Sequence, residues 1–330
     1  MKRDLFKTIL MATVLCYSTI SYAEYKKLAQ TGFQFLSVET DARATGMAGA
    51  MTTVSMGSGS LFFNPACLAL MPYRVDASLG QVNWIADIKY NSFSAAFKPL
   101  QGKIGIFGIS ALMVNYGNLQ GTMVWPNDRG YMDTGIFSPS AFMVGVGYAK
   151  ALSSLFAVGG QIKYAGQQLS ESIVEIEDSL GVRKYIANAF AFDFGTHFKT
   201  GLKSLAFGMS IRNFSNEIKY ETEGFQLPLT FSMGISMNLV DLIPSMAKSH
   251  SLIASVDAVH PRDFPEYINL GFEYNMRNML FVRYGFMSNR DDRASNFGFG
   301  LKLVGVGVDY SYSTWGVFKD TQNFTLRFSL

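Results

Sequence analysis

From residue 75 to the end of the chain, large apolar residues recur at every second position. In the run 205–213, for example, Leu, Phe, Met and Ile alternate with Ala, Gly, Ser and Arg. A period of two places successive side chains on opposite faces of a β-strand. The second face is mainly Gly, Ser and Thr, whereas a solvated face would be richer in charge. The runs are about nine or ten residues long, which suits tilted strands that cross a bilayer.

The alternation predicts an all-β fold, a transmembrane outer-membrane β-barrel of about fourteen antiparallel strands. The predicted strands lie near residues 75–83, 89–98, 102–116, 142–150, 156–168, 189–200, 205–213, 229–238, 251–260, 266–275, 280–288, 294–303, 305–313 and 323–330. Connections near 117–141, 169–188 and 214–228 are long, as external loops are, and most others are short. The connection at 239–250 departs from this rule and is expected to hold a short helix.

Composition agrees with a membrane protein that lacks spanning helices. The 330 residues are 48% hydrophobic and 16% charged, and the mean hydropathy is +0.15. An average soluble domain is about 25% charged. Such a chain is too apolar to be disordered, and an ordinary soluble enzyme is disfavoured. Beyond the N-terminus, no apolar run reaches the roughly 20 residues that a spanning helix needs.

The first 23 residues have the pattern of a cleaved signal peptide. Basic residues precede an apolar stretch at 9–20, and Ser21-Tyr22-Ala23 places small residues where signal peptidase cleaves. Removal of 1–23 takes away three basic residues and one acidic residue, so the mature chain is nearly neutral. We therefore expect export to the outer membrane of a diderm bacterium, and no nucleic-acid partner.

Residues 24–74 do not alternate, and we predict that they form an N-terminal hatch, called the plug below. The stretch 44–73 is free of charge but contains four Gly and two Pro, which exclude a spanning helix. A fourteen-stranded barrel encloses space that something must fill. The alternative is a simple periplasmic extension. The candidate plug motif comprises Arg43, Gly46, Gly49, Asn64, Pro65 and Ala66.

The few charges of the predicted strands fall on the small-residue face, which points into the lumen. A charge that faced lipid at the midplane would cost about 2–4 kcal/mol. These residues are Asp193, Arg212, Glu273, Arg283, Lys302, Asp309 and Arg327. We favour a mutually neutralising network that anchors the plug; the alternative is a surface that contacts a substrate.

The final strand has the form that barrel-assembly machinery recognises. Its apolar positions are Phe324, Leu326, Phe328 and Leu330, the last being the C-terminal residue. The alternative, an edge strand of a soluble protein, fits poorly beside a signal peptide and so many alternating runs.

No catalytic, cofactor-binding or metal site is predicted. The three histidines, His197, His250 and His260, lie far apart in sequence, and no spacing suggests zinc. Only Cys67 remains after signal cleavage, and its small neighbours favour a packing role.

Several segments resemble the PorV/PorQ family, within the wider group of FadL-like outer-membrane barrels. They are 35–36, 42–50, 63–69, 227–230, 256–257, 269–274, 283–286, 297–300 and 308–310. The resemblance implies a fourteen-stranded barrel with its hatch in the lumen. In PorV, a barrel of this kind takes part in type IX secretion: it receives cargo proteins and escorts them to surface attachment. In FadL relatives, a barrel of this kind passes hydrophobic molecules inward.

The sequence therefore leaves three alternative functions. The first is an accessory of protein secretion and surface attachment, whose partners are cargo proteins or other secretion components. The alternative is a FadL-like channel for hydrophobic molecules such as fatty acids. The third is a structural envelope barrel. In each case outer-membrane lipid and the assembly machinery are further partners.

Overall fold

The computed structural model describes residues 31–176, 179–242, 249–289, 295–316 and 320–330. The predicted signal peptide and the first residues of the plug lie outside these ranges.

The strands of the described chain are antiparallel to their neighbours, and fourteen of them close a barrel. The strands are β1 Val75–Asn83, β2 Lys89–Phe97, β3 Ile106–Asn115, β4 Leu119–Val124, β5 Tyr131–Phe137, β6 Ser140–Ala151, β7 Phe156–Ile176, β8 Ser179–Lys199, β9 Ala206–Phe214, β10 Ile218–Lys219, β11 Gly224–Phe225, β12 Thr230–Asn238, β13 His250–Pro261, β14 Tyr267–Met276, β15 Leu280–Met287, β16 Ser295–Leu303, β17 Val306–Ser313 and β18 Thr321–Ser329. All but β4, β5, β10 and β11 belong to the barrel, and β18 pairs with β1 to close it. This closed barrel confirms the predicted fold class. Closure leaves no unpaired strand edge in lipid.

The connections give the barrel two different ends. Turns such as 152–155, 277–279 and 304–305 form the short-turn end, where β1 starts and β18 finishes. The connections at the opposite, long-loop end include two small hairpins, β4–β5 and β10–β11. The outer loops are thus partly regular structure.

The expectation of a loop at 169–188 is wrong for most of that segment. Strands β7 and β8 continue as a ladder through Ser170↔Tyr185 to Ile176↔Ser179, beyond a register shift after Gln168. Alternation fades in this extension because water can reach both faces of a hairpin outside the membrane. The backbone hydrogen bonds between β7 and β8 do not require an apolar face, so the strand pairing continues in this extension.

Alternating burial separates a lipid face from a lumenal face. On β6, Phe142, Val144 and Val146 are exposed on the outside, while Ala141 and Met143 are buried. The apolar residues of the terminal strand also lie on the outer face, with Phe324 47% and Phe328 42% exposed. A continuous apolar exterior is the surface that a bilayer requires.

The helices are short. Helix α1 spans Ala42–Gly46, and 3-10 helices span Gln34–Ser37, Gly57–Phe62, Pro65–Leu70, Ile85–Asp87, Pro99–Gly102 and Leu239–Leu242. The last lies in the connection 239–250. No helix in the described ranges is long and apolar enough to cross a membrane.

Ile235→Lys on the lipid face of β12 tests this architecture. Ile235 is 44% exposed and lies near the middle of its strand. We expect its replacement to lower the free energy of unfolding in lipid vesicles by about 2–4 kcal/mol. Ile136→Lys is the control, because Ile136 is exposed on β5, outside the barrel. Equal losses in both variants would contradict the assignment of the lipid face.

Candidate functional site

The described part of the plug, residues 31–74, runs along the lumen from the long-loop end to the short-turn end. At its start, Gly32 N donates to Gln226 O at 3.0 Å. At its finish, Arg74 N donates to Leu330 O at 2.7 Å, beside the first residue of β1. The plug therefore crosses the whole lumen before the chain enters the wall.

Helix α1 lies against the inner face of the barrel, called the wall below. The backbone of α1 approaches the backbone of β16 closely, with little side chain between them. Its N-cap Asp41 accepts hydrogen bonds from Arg43 N at 2.9 Å and Ala44 N at 3.3 Å. A Cβ placed on Gly46 would lie 2.9 Å from Gly298 Cα on β16. Both positions need glycine because the two backbones nearly touch.

Gly49 ends the α1 turn in a conformation that favours glycine. Its φ is +72°, and its N–H donates to Ala44 O at 2.9 Å. The left-handed backbone redirects the chain after the helix, as glycine commonly does at helix ends.

The Asn64-Pro65-Ala66 element joins two parts of the plug to the wall. Asn64 is fully buried, and its Nδ2 donates to Thr52 O at 2.7 Å and to Thr196 O on β8 at 3.0 Å. Its Oδ1 accepts from Ala66 N at 3.0 Å and caps the 3-10 helix that starts at Pro65. A buried amide satisfied on both sides fixes this turn against β8.

Four side chains form an ionic centre between the plug and the wall: Arg43, Glu273, Arg283 and Asp309. Arg43 binds Glu273 through two hydrogen bonds of 2.7 Å, in a bidentate arrangement. Arg283 Nε donates to Glu273 Oε2 and its Nη1 to Asp309 Oδ1, both at 2.6 Å. The side chains of Glu273 and Arg283 are each only 2% exposed. The centre therefore couples α1 to strands β14, β15 and β17.

Three of the seven predicted lumenal charges, Glu273, Arg283 and Asp309, belong to this centre. Lys302 and Arg327 line the same cavity as Arg283 and Asp309, whereas Asp193 and Arg212 do not. Asp193 pairs with Lys163 at 2.8 Å, and Arg327 pairs with Asp41 at 2.9 Å.

The last two predicted charges bind uncharged partners. Arg212 Nη1 donates to Phe62 O of the plug at 2.8 Å. Lys302 Nζ donates to the Tyr73 hydroxyl at 2.5 Å.

Sequence reasoning missed two buried acids that hold the plug backbone. Asp257 Oδ2 accepts from Thr52 N at 2.8 Å, and Asp76 Oδ1 accepts from Ser58 N at 2.7 Å. Both occupy lumenal positions of their strands, so the same alternation could have found them. Lys163 on β7 was missed in the same way.

A cavity of about 410 Å³, called the vestibule below, lies at the long-loop end above the plug. Trp84 and Trp315 meet edge to face on its wall, with ring centroids 4.8 Å apart. Burial raises the pKa of Tyr116 to about 12, so this wall residue stays neutral. Its aromatic and apolar lining includes Phe35, Trp84, Tyr90, Tyr116, Met287 and Trp315. Such a volume and lining suit a small apolar ligand.

Arg212 lies where the vestibule meets two smaller spaces beside the plug. It lines the vestibule and also cavities of about 20 and 40 Å³. Its guanidinium stands over the Phe63 ring, 5.8 Å from the centroid. This arginine therefore borders all three spaces.

The described part of the plug contains one buried thiol. Cys67 is fully buried, and burial raises the pKa of its thiol. Its Sγ donates to Thr52 O at 3.4 Å, which agrees with the predicted packing role. Within the described ranges, no group of three or more His, Cys, Asp or Glu residues could hold a metal ion.

No family model matches the chain, and no curated protein matches its sequence. Its structure is similar to the Ralstonia pickettii toluene transporter TbuX, with a TM-score of 0.56 and 11% identity over 88% of this chain and 98% of that one. The CymD monoaromatic hydrocarbon channel gives 0.58 and 11%, over 89% and 98% of the two chains. A Pseudomonas aeruginosa FadL homologue gives 0.50 and 11%, over 88% and 98%. At these identities the likeness establishes a FadL-like barrel fold, and it lends no support to PorV/PorQ in particular.

Glu273→Gln tests the ionic centre. The substitution removes the charge that neutralises Arg43 and Arg283 in a buried site. Breaking one partner of such a network costs about 3–5 kcal/mol. We expect a loss of that size in the free energy of unfolding in vesicles, together with faster proteolysis within the plug.

Glu171→Gln is the matched control, because Glu171 pairs with Lys184 on the exposed β7–β8 extension. Loss of an exposed pair costs at most about 1 kcal/mol. If the two variants were equally stable, the ionic centre would have no anchoring role.

Proposed function

We propose that this chain is a channel through which small hydrophobic molecules cross the outer membrane of a diderm bacterium. The observation that carries the proposal is the vestibule, an aromatic cavity at the long-loop end of a membrane barrel. An apolar solute gains free energy by leaving water for such a lining, at about 25 cal/mol per Å² buried. The vestibule can therefore collect solutes that are dilute outside.

The proposed location follows from several features of the chain. The barrel exterior is apolar, and residues 1–23 have the pattern of an export signal. The terminal strand β18 carries Phe324, Leu326, Phe328 and Leu330, which we propose as the signal for the assembly machinery. Short turns are typical of the periplasmic side, which supports an orientation in which the vestibule opens at the cell surface.

We propose that the solutes are small, apolar molecules. The vestibule volume of about 410 Å³ admits a molecule of the size of one aromatic ring with short substituents. The neighbours TbuX and CymD are described as a toluene transporter and a monoaromatic hydrocarbon channel. The similarity of these two proteins to this chain concerns the fold alone. The vestibule of this chain supports the proposal of small apolar solutes independently.

The plug closes the direct path from the vestibule to the periplasm. The small cavities at Arg212 hold little more than water, so a solute can move inward only when the plug shifts. We propose that residues 24–74 act as this gate, held by the ionic centre and by Asn64.

An accessory role in protein secretion is a second proposal with less support. It rests on the sequence resemblance to PorV/PorQ and on the external hairpins, β4–β5 and the extended β7–β8, which could contact a folded partner. Recovery of a specific protein partner with the intact barrel from envelope extracts would favour it. The channel proposal has a cavity of matching chemistry, and the secretion proposal has no comparable site.

Tryptophan fluorescence can test the vestibule directly. The chain has three tryptophans, of which Trp84 and Trp315 line the vestibule and Trp125 lies in the β4–β5 connection. In the Trp125→Phe variant, toluene should therefore change the emission saturably. Val38→Phe in this background narrows the vestibule, and should weaken toluene binding roughly tenfold.

Val146→Phe, on the lipid face, is the control and should leave binding unchanged. Uptake of labelled toluene by cells should fall with Val38→Phe and not with Val146→Phe. A linear response to toluene that is equal in all variants, or binding without uptake, would contradict the channel and leave the structural role as the better account.

A further inference from the structure

A second large cavity lies on the opposite side of the plug. It also measures about 410 Å³, and we call it the inner cavity. Asn278 in the β14–β15 turn, Gly307 on β17 and Ser329 at the end of β18 line it, so it lies at the short-turn end. It thus faces the periplasm in the proposed orientation.

The inner cavity differs from the vestibule in its charge. Four basic side chains line it, Arg43, Arg283, Lys302 and Arg327, against the single carboxylate of Asp309. Three of these cations already have a counter-charge. Glu273 and Asp309 neutralise the two arginines of the ionic centre, and Asp41 pairs with Arg327.

The fourth basic residue, Lys302, has no counter-charge among the described residues. Its Nζ donates to the Tyr73 hydroxyl, and lies 4.5 Å from the centre of the Tyr73 ring. No carboxylate of the described chain lies within ion-pair distance of it. The phenol and the ring orient the ammonium group without neutralising it. A half-buried ammonium without a counter-charge, in a cavity that three arginines also line, favours an anion.

A second cation of the same cavity is only partly satisfied. Arg327 lines the cavity, and its Nη2 donates to Asp41 at 2.9 Å. Its Nε is buried and has no hydrogen-bond acceptor in the described structure. Asp41 therefore leaves part of the donor capacity of this guanidinium unused.

We propose that the inner cavity binds an anionic oxygen group, a carboxylate or a phosphate, on Lys302 with the help of Arg327. The ammonium is a compact point charge that suits either oxyanion. Phe281 lines the same cavity and offers apolar surface there. The anion is therefore either a small free ion or the head of an amphiphile whose tail lies on this ring. The site is separated from the vestibule by the plug, and the proposal does not rest on the proposed function.

Isothermal titration calorimetry of the full chain in non-ionic detergent tests the site with three probes: inorganic phosphate, acetate and octanoate. We expect saturable binding to the unmodified protein. Lys302→Gln should weaken it roughly tenfold or more, as loss of a charged hydrogen-bond donor does. Lys302→Arg keeps the charge and should retain binding.

Lys103→Gln is the matched control, because Lys103 is an exposed lysine in the β2–β3 turn at the same end of the barrel. Heat-modifiable migration on SDS gels verifies that each variant is folded. Octanoate binding much more tightly than acetate would identify an amphiphile, and equal affinities would identify a free anion.

Absence of saturable binding of all three probes to the unmodified protein would overturn the proposal, whatever the variants do. Equal affinity in Lys302→Gln and the unmodified protein would overturn it as well. Toluene binding in the vestibule is measured separately, so failure of either site is distinguishable from failure of the other.

Discussion

A closed barrel of fourteen strands leaves a lumen wider than its own side chains can fill, and the rest of this structure follows from that constraint. The plug fills the space with large buried side chains such as Phe35, Met47 and Leu61, and in places with backbone that lies directly against the wall. Gly46 on the plug and Gly298 on β16 nearly touch, and a Cβ on Gly271 would lie 2.8 Å from Met47 O. The small residues on the inner face of the strands therefore make room for the plug.

The plug is held differently on its two sides. Towards β14–β18 the contacts are ionic, centred on Glu273 and its two arginines, with Asp41 and Arg327 beside them. Towards β6–β8 the 3-10 helix Pro65–Leu70 packs by shape and through Asn64. Ionic contacts respond to competing charges, whereas packing contacts depend on shape.

The plug also divides the lumen into two cavities of similar size and different chemistry. The vestibule has a largely aromatic and apolar lining that also includes Glu39, Arg212 and Asp263, whereas basic residues predominate among the charges of the inner cavity. A uniform water-filled pore would show the same lining on both sides. The two proposed binding sites therefore lie at opposite ends of the barrel.

The alternation of large apolar and small residues is enough to predict the barrel and the approximate bounds of its fourteen strands. Lipid outside the barrel favours large apolar residues, and the plug inside it favours small ones. Because the two faces alternate residue by residue along a strand, this preference can be recognised in the sequence alone. Three features required the tertiary structure: Arg43 binds Glu273, Lys302 has no acidic partner among the described residues, and the β7–β8 pairing continues beyond Gln168. These features depend on which strands lie beside one another around a closed ring. In the hairpin outside the membrane, water on both faces removes the alternation from which a strand could be predicted.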